Sequence, residues 1–217
     1  MDSKKTNSTD SASHLVELLS QPELQESHTS WLEVAAALVA HIHAEVGGCV
    51  SRKWQVAAAT ARVLPALLSI LSHRAASMTL KIDAVDSLRL TISSNSSNQQ
   101  AAFSAAAVPV LIELATVEAL DPPPSLGPKA AALARSAAHR LRIASLAALA
   151  ELVHMHKPSQ DAVVAAGFIH VLIPIVHCAG PPMHSAAAQA CALRLLAHLV
   201  RGNVSFRVIV AVAFGCF

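Results

Sequence analysis

Apolar residues gather at three widely separated places: Val63-Leu64-Pro65-Ala66-Leu67-Leu68, Ala107-Val108-Pro109-Val110-Leu111-Ile112 and Phe168-Ile169-His170-Val171-Leu172-Ile173, the last with histidine where the others have proline. Each is followed, after a polar or proline-containing break, by a segment whose apolar side chains recur every three residues. These are Val85 and Leu88, then Leu146, Leu149 and Leu152, then Leu193, Leu196 and Leu199. Residues three or four apart share a helix face, so each segment predicts an amphipathic helix with one buried stripe. Self-similarity over tens of residues is the mark of stacked helical repeats, in which each unit covers its apolar face with its neighbour's.

The pattern divides the chain. Residues 1–13 are rich in Ser, Thr, Asp and Lys without periodicity, which predicts a disordered tail ending near His14. A first unit, 14–46, contains the helices His14–Ser20 and Trp31–Val46, stopped by Gly47-Gly48. A second unit covers 54–94, a third 98–156 and a fourth 159–202, with an incomplete apolar unit at 203–217. In the third, the run Asp121-Pro122-Pro123-Pro124-Ser125-Leu126-Gly127-Pro128 interrupts the helices, and a last helix is expected over Lys129–His156. In the fourth, Gly180-Pro181-Pro182 marks the break.

Composition narrows the class. The hydrophobic fraction is 53%, with no Tyr, two Trp and five Phe, and the Ala and Leu runs favour close helix packing over sheets. An all-α fold follows. Charge is uneven: residues 1–121 hold 8 basic and 12 acidic side chains, and residues 122–217 hold 8 and 2. The basic residues of the second half are scattered and lack interleaved aromatics, which argues against nucleic acid as the partner. Four cysteines without CxxC spacing and a polar N-terminus point to a reducing, cytoplasmic setting. The stretch Ala162–Gly180 has no Asp, Glu, Lys or Arg and is long enough to span a bilayer. Gly167, His170, Pro174 and His177 within it, and its match to the recurring motif, favour a buried repeat helix instead.

The units resemble armadillo repeats, in which a short first helix precedes two longer ones. The resemblance rests most closely on Asp161-Ala162-Val163-Val164-Ala165-Ala166-Gly167-Phe168-Ile169-His170-Val171-Leu172-Ile173 and on Ala190-Cys191-Ala192-Leu193-Arg194-Leu195-Leu196. It covers residues 55–202, and more weakly 14–46; Arg62 stands where a small residue is usual, and the proline-rich insertion departs from the pattern. It implies a right-handed superhelical α-solenoid, with two-helix HEAT-like units as the alternative. In armadillo proteins the last helix of each unit lines a concave groove, and the corresponding polar positions here are Asp86, Arg89, Glu151, Arg194 and His198. The implied function is a non-enzymatic protein-interaction scaffold that binds an extended peptide or a helical protein. Reversing the charges of Glu151 and Arg194 is then expected to weaken partner binding without unfolding the chain.

Candidate chemistry is sparse. His41-x-His43 and His154-x-His156 put their rings on different helix faces if both lie in last helical turns, and no Cys pair or HExxH completes a metal set. No GxSxG or phosphate-binding GxxxxGK[ST] motif occurs, and Asp83 with Asp86 reads as a solvated face, so neither an enzyme nor a cofactor is expected. The Trp-x-x-x-Asn ladder of importin-type armadillo proteins is missing, since Ala35 follows Trp31 and Ala58 follows Trp54 at that spacing. Two alternative functions remain: a membrane-associated helical protein using Ala162–Gly180 or Val208–Phe217, and an armadillo-like chaperone cofactor. A solenoid ordinarily ends in a polar cap, whereas Val204–Phe217 is apolar. The expectation is a fragment of a longer array, or an end through which the chain self-associates.

Overall fold

The structure, a computed structural model, describes residues 8–21, 28–46, 55–56, 58–59, 62–116, 127–177, 185–202, 206–208 and 211. Among these residues there is no strand. Among the described residues the helices are, in chain order, α1 (Ser8–Leu19), α2 (His28–Val46), α3 (Val63–Ser72), α4 (Met78–Ile92), α5 (Ser96–Ser104), α6 (Ala107–Thr116), α7 (Pro128–Val153), α8 (Lys157–Ala165), α9 (Ile169–His177) and α10 (Ala186–Gly202), with further helical residues at 55–56, 58–59 and 206–208. The chain forms two compact units, Met1–Ala105 and Ala106–Phe217. That division falls between α5 and α6, inside the stretch 98–156 that the sequence pattern suggested as one unit.

In the first unit, α2 packs against α1 and α4, α3 against α4, and α5 against both α3 and α4. The stripe Trp31, Ala35, Leu38 and Ile42 of α2 is buried, at the spacing that keeps side chains on one face. Trp31 also stacks on His73, their ring centroids 4.3 Å apart and the planes 17° from parallel. Leu67, Ile70 and Leu71 of α3 and Val85, Leu88 and Ile92 of α4 complete the core. Ser77 caps α4 by accepting from the Leu80 amide at 3.2 Å. Helix α1 starts at Ser8, so the residues from Ser8 to Ser13, expected in a disordered tail, are helical.

The turn from α4 to α5 is held by side-chain amides. Gln55 Nε2 donates to the carbonyl oxygens of Leu90 (3.1 Å) and Ser93 (2.7 Å), the orphan acceptors at the end of α4. Asn98 Nδ2 donates to Thr91 O (2.9 Å) and Gln55 O (3.0 Å), while Asn95 caps α5 through the Asn98 amide. Burying Gln55 and Asn98 is tolerated because these bonds replace those lost to water.

In the second unit, α7 packs against α6 and α10, α9 against α10, and α8 against α7, α10 and α6. The helix α7 has two halves. From Ala144 to Val153 almost every residue is buried, and alanines alternating with leucines let neighbours approach from several sides. From Pro128 to Ser136 only Ala131 is buried. The helix ends at Val153, so the expected last helix to His156 is shorter: His154 is its C-cap, and His156 is the N-cap of α8. On α10 the buried stripe is Ala188, Ala192, Leu195 and Leu199, flanked by Leu196. Leu193 lies off that stripe and is half exposed, although the sequence pattern placed it on the buried face.

A local backbone device recurs. The residue just before α3, α6 and α9, or one removed from it, is left-handed: Arg62 (φ 53°), Ala106 (φ 62°) and Gly167 (φ 65°). Ser94 (φ 53°) and Met155 (φ 55°) take the same conformation just before the N-caps of α5 and α8, which are both nine residues long. Three corners thus align with the recurring apolar motif, and at two of them a side chain bears a conformation that glycine adopts without strain. At Gly167 a Cβ would meet only His170 Cδ2 at 3.9 Å, so the φ angle, and not space, is what favours glycine.

The uncharged run from Ala162 breaks at this corner. Helices α8 and α9 are bent by 84°, and among the described residues no single helix is long and apolar enough to cross a membrane. Asp121–Leu126 of the proline-rich insertion, the break Gly180-Pro181-Pro182 and most of Val204–Phe217 lie outside the described residues. Of that last segment, Phe206 is buried and Arg207 donates from Nε to Val200 O at 3.0 Å.

Candidate functional site

The five polar positions singled out in the sequence fall into two sets, one in each unit. Asp86 and Arg89 lie one turn apart on α4, their side chains partly exposed and paired Nε to Oδ1 at 3.4 Å. Such a pair largely satisfies itself and contributes little to stability. Glu151 near the end of α7 and Arg194 and His198 on α10 come together in the second unit.

Glu151 corrects the expectation of an exposed ladder. The residue is only 5% exposed. Its Oε1 accepts from Arg194 Nη2 at 2.6 Å, a charge-assisted bond from a side chain that is itself 55% exposed. Glu151 sits among Leu149, Ala150, Leu152 and Val153, all buried, because neighbours surround this half of α7. It is therefore a structural carboxylate neutralised by a surface cation, and reversing its charge would strike the core.

One turn beyond Arg194, His198 meets His154. Their rings are T-shaped with centroids 4.6 Å apart, and the two Nδ1 atoms are 3.3 Å apart. That contact requires one nitrogen to carry the hydrogen and the other a lone pair. Burial holds His198 below the usual imidazole value, followed by the positive charges of His154, Arg194 and Arg201, against a smaller opposing effect of Glu151. Burial alone lowers His156, whose Nδ1 lies 2.8 Å from Ser159 Oγ.

Beside the histidine pair opens a cavity of about 470 Å³, lined by His154, Met155, Lys157, Gln160, His198 and Arg201. Three elements build it: the α7–α8 turn, the first turn of α8 and the last two turns of α10. Met155, left-handed and 88% exposed, stands at its mouth. Arg194, His198 and Arg201 follow one stripe of α10 at intervals of four and three. Of the lining residues only His198 was among the expected groove positions. Lys157 and Arg201 were visible in the sequence as scattered basic residues, whereas nothing in the sequence singled out Gln160, which lies between Ser159 and Asp161.

Among the described residues no group of three or more His, Cys, Asp or Glu is placed to hold a metal ion. Cys191 lies half-buried on α10.

No family model matches the sequence, and no curated protein matches it. Two solved structures resemble the fold, both engineered proteins that were targets of the Northeast Structural Genomics Consortium. The first aligns with a TM-score of 0.62 at 19% identity, covering 98% of this chain and 82% of the other. The second aligns with a TM-score of 0.52 at 20% identity, covering 94% of this chain and 51% of the other. The likeness is one of all-helical fold.

Proposed function

We propose that this chain is an armadillo-like α-solenoid acting as a non-enzymatic interaction scaffold for another protein. The observation that carries the reading is the recurrence, in chain order, of a nine-residue helix, a left-handed corner, a helix bearing the apolar motif and a longer third helix. Repeats of this kind position side chains on rigid helices, where they meet a partner without reorganising. The binding surface in the second unit is the α10 stripe of Arg194, His198 and Arg201 with the end of α7. Its positive balance suits a partner that is locally acidic.

The test is partner capture by proximity labelling, followed by binding of the purified pair. The expected result is a defined protein that binds the purified chain saturably at one-to-one stoichiometry. Enrichment no different from that of an unrelated helical bait would overturn the scaffold reading.

A further inference from the structure

One backbone corner is built twice in this chain, with different side chains. Between α4 and α5 the C-cap, the left-handed residue and the N-cap are Ser93, Ser94 and Asn95; between α7 and α8 they are His154, Met155 and His156. The main-chain bonds correspond. Asn95 N donates to Ile92 O at 3.2 Å and Gln99 N to Asn95 O at 2.9 Å, while His156 N donates to Val153 O at 3.2 Å and Gln160 N to His156 O at 3.1 Å. The side chains on that frame differ in kind. Gln55, Asn95 and Asn98 tie the α4–α5 corner, and none of them titrates. The α7–α8 corner is tied by imidazoles, His156 to the Ser159 hydroxyl and His154 to His198 of α10, and by Gln160, whose Nε2 donates to Val153 O at 3.0 Å and His198 O at 3.5 Å.

His198 has no place for a second hydrogen. Its contact with His154 holds one hydrogen across the 3.3 Å between the two Nδ1 atoms. Its Nε2 is buried and has no partner among the described residues. The cation carries hydrogen on both nitrogens, so in this position it would hold a charged N–H with neither an acceptor nor water. On α10, Arg194 and Arg201 oppose that charge; on α7, His154 opposes it and Glu151, bonded to Arg194, favours it. On α8, Lys157 is paired with Asp161 and His156 is buried. Helix α9 carries no Asp, Glu, Lys or Arg, and its His170 and His177 are exposed, as is Glu113, the one charged residue of α6. Beyond α10, Arg207 is bonded to Val200 O. Burial and these charges hold His198 below the ordinary imidazole value. The ring has somewhere to go, because the cavity of about 470 Å³ is lined by both His154 and His198.

We propose that the α7–α8 corner is a proton-operated latch: on taking a proton from solvent, His198 leaves His154 and turns into the adjoining cavity, where Nε2 meets water, and the end of α10 lets go of the corner. Only hydrogen bonds break, the ring contact first and then the bond from Gln160 to His198 O. His156 works in the same direction, since burial lowers it too and a positive charge at its position would face the positive end of the α8 dipole. The sign follows. A histidine held below 6.5 when the corner is shut, and released to its ordinary value when open, keeps the latch shut above pH 6.5 and favours opening as the pH falls through and below it. The amides of the α4–α5 corner have no such response. The inference concerns this one corner and does not depend on the scaffold reading.

The experiment is amide hydrogen exchange on the full chain, read residue by residue by NMR between pH 7.5 and pH 5.5, with each amide's intrinsic rate divided out. The expected result is that protection of the His156 and Gln160 amides falls at least about threefold over this window, within the limit of about tenfold that one released histidine allows. Protection of the Asn95 and Gln99 amides, the matching positions of the α4–α5 corner, stays constant. The His198 ring resonances titrate in step with the loss. In His198→Gln the fall is at most about half as large, the remainder belonging to His156. If that variant does not fold, the two corners and the ring titration of the unaltered chain decide. Equal loss at both corners, which is the sign of global destabilisation, overturns the proposal. So does constant protection of His156 and Gln160, or a fall as large in His198→Gln as in the unaltered chain.

Discussion

Removing Arg194 leaves the carboxylate of Glu151 behind, and the size of the effect follows from how each partner meets water. The Glu151 side chain is 7% exposed and Arg194 is 55% exposed, at 2.6 Å. Breaking a fully buried pair costs about 3–5 kcal/mol, while hydrogen bonds to charged groups contribute about 1.5–3 kcal/mol. About half the Arg194 side chain is already exposed, and solvent screening discounts the upper figure, so Arg194→Ala is expected to cost about 2 kcal/mol. Glu151→Gln removes the charge and keeps the shape, at about 1–2 kcal/mol. Glu151→Lys buries a cation facing Arg194 and should exceed about 4 kcal/mol, which is enough to unfold a marginal unit. The assay is urea unfolding followed by far-UV circular dichroism on the two single variants and the double variant Arg194→Ala/Glu151→Gln. A coupling energy of about 1–2 kcal/mol is expected; additivity within about 0.3–0.5 kcal/mol would refute the pairing.

The two other predictions concern protons and backbone. His198 and His156 are both held below the ordinary imidazole value of 6.5, so the unfolded chain takes up their protons first. Stability is therefore fully present above pH 6.5 and is lost as the pH falls through and below that value. The urea midpoint should decline from pH 7.5 to pH 5.5 and decline less in His198→Gln; a midpoint that rises over this window contradicts the burial argument. At the left-handed corners, Ala106→Gly should stabilise by about 1 kcal/mol and Gly167→Ala should destabilise by about the same, because the penalty of a side chain at positive φ is of that order. Thermal melts read both, and shifts of the same sign would show that the corners are not equivalent.

The helices were legible in the sequence wherever a stripe of apolar residues had a clear period. Leu146, Leu149 and Leu152 of α7, the Trp31–Ile42 stripe of α2, and Leu67, Leu111 and Leu172 from the three apolar motifs all reached the core. On α10 a strict three-residue period drifts off the helix face, so Leu196 and Leu199 are buried and Leu193 is not. Less legible was Glu151. A lone acid between leucines has the pattern of a solvated position, and its partner Arg194 lies 43 residues away, beyond any local rule. The cavity was hidden for the same reason, since Arg201 on α10 lies more than forty residues along the chain from Lys157 and Gln160 on α8. His154-x-His156 was visible as a pair, but the residue between them is a left-handed turn, so one ring meets His198 and the other meets the Ser159 hydroxyl. The start of α1 was missed because Ser, Thr and Asp favour helix N-termini as readily as disorder.

The bend between α8 and α9 changes what the segment formed by these two helices can reach. Each arm has nine residues and so measures about 13 Å at 1.5 Å per residue. Joined at 84°, the two arms extend about 20 Å from end to end, against about 30 Å of hydrocarbon in a bilayer. Straightened into one rod, the same residues would come close to that thickness. A single left-handed glycine therefore sets the end-to-end length of the segment, and hydropathy, which averages over sequence and ignores direction, cannot register it.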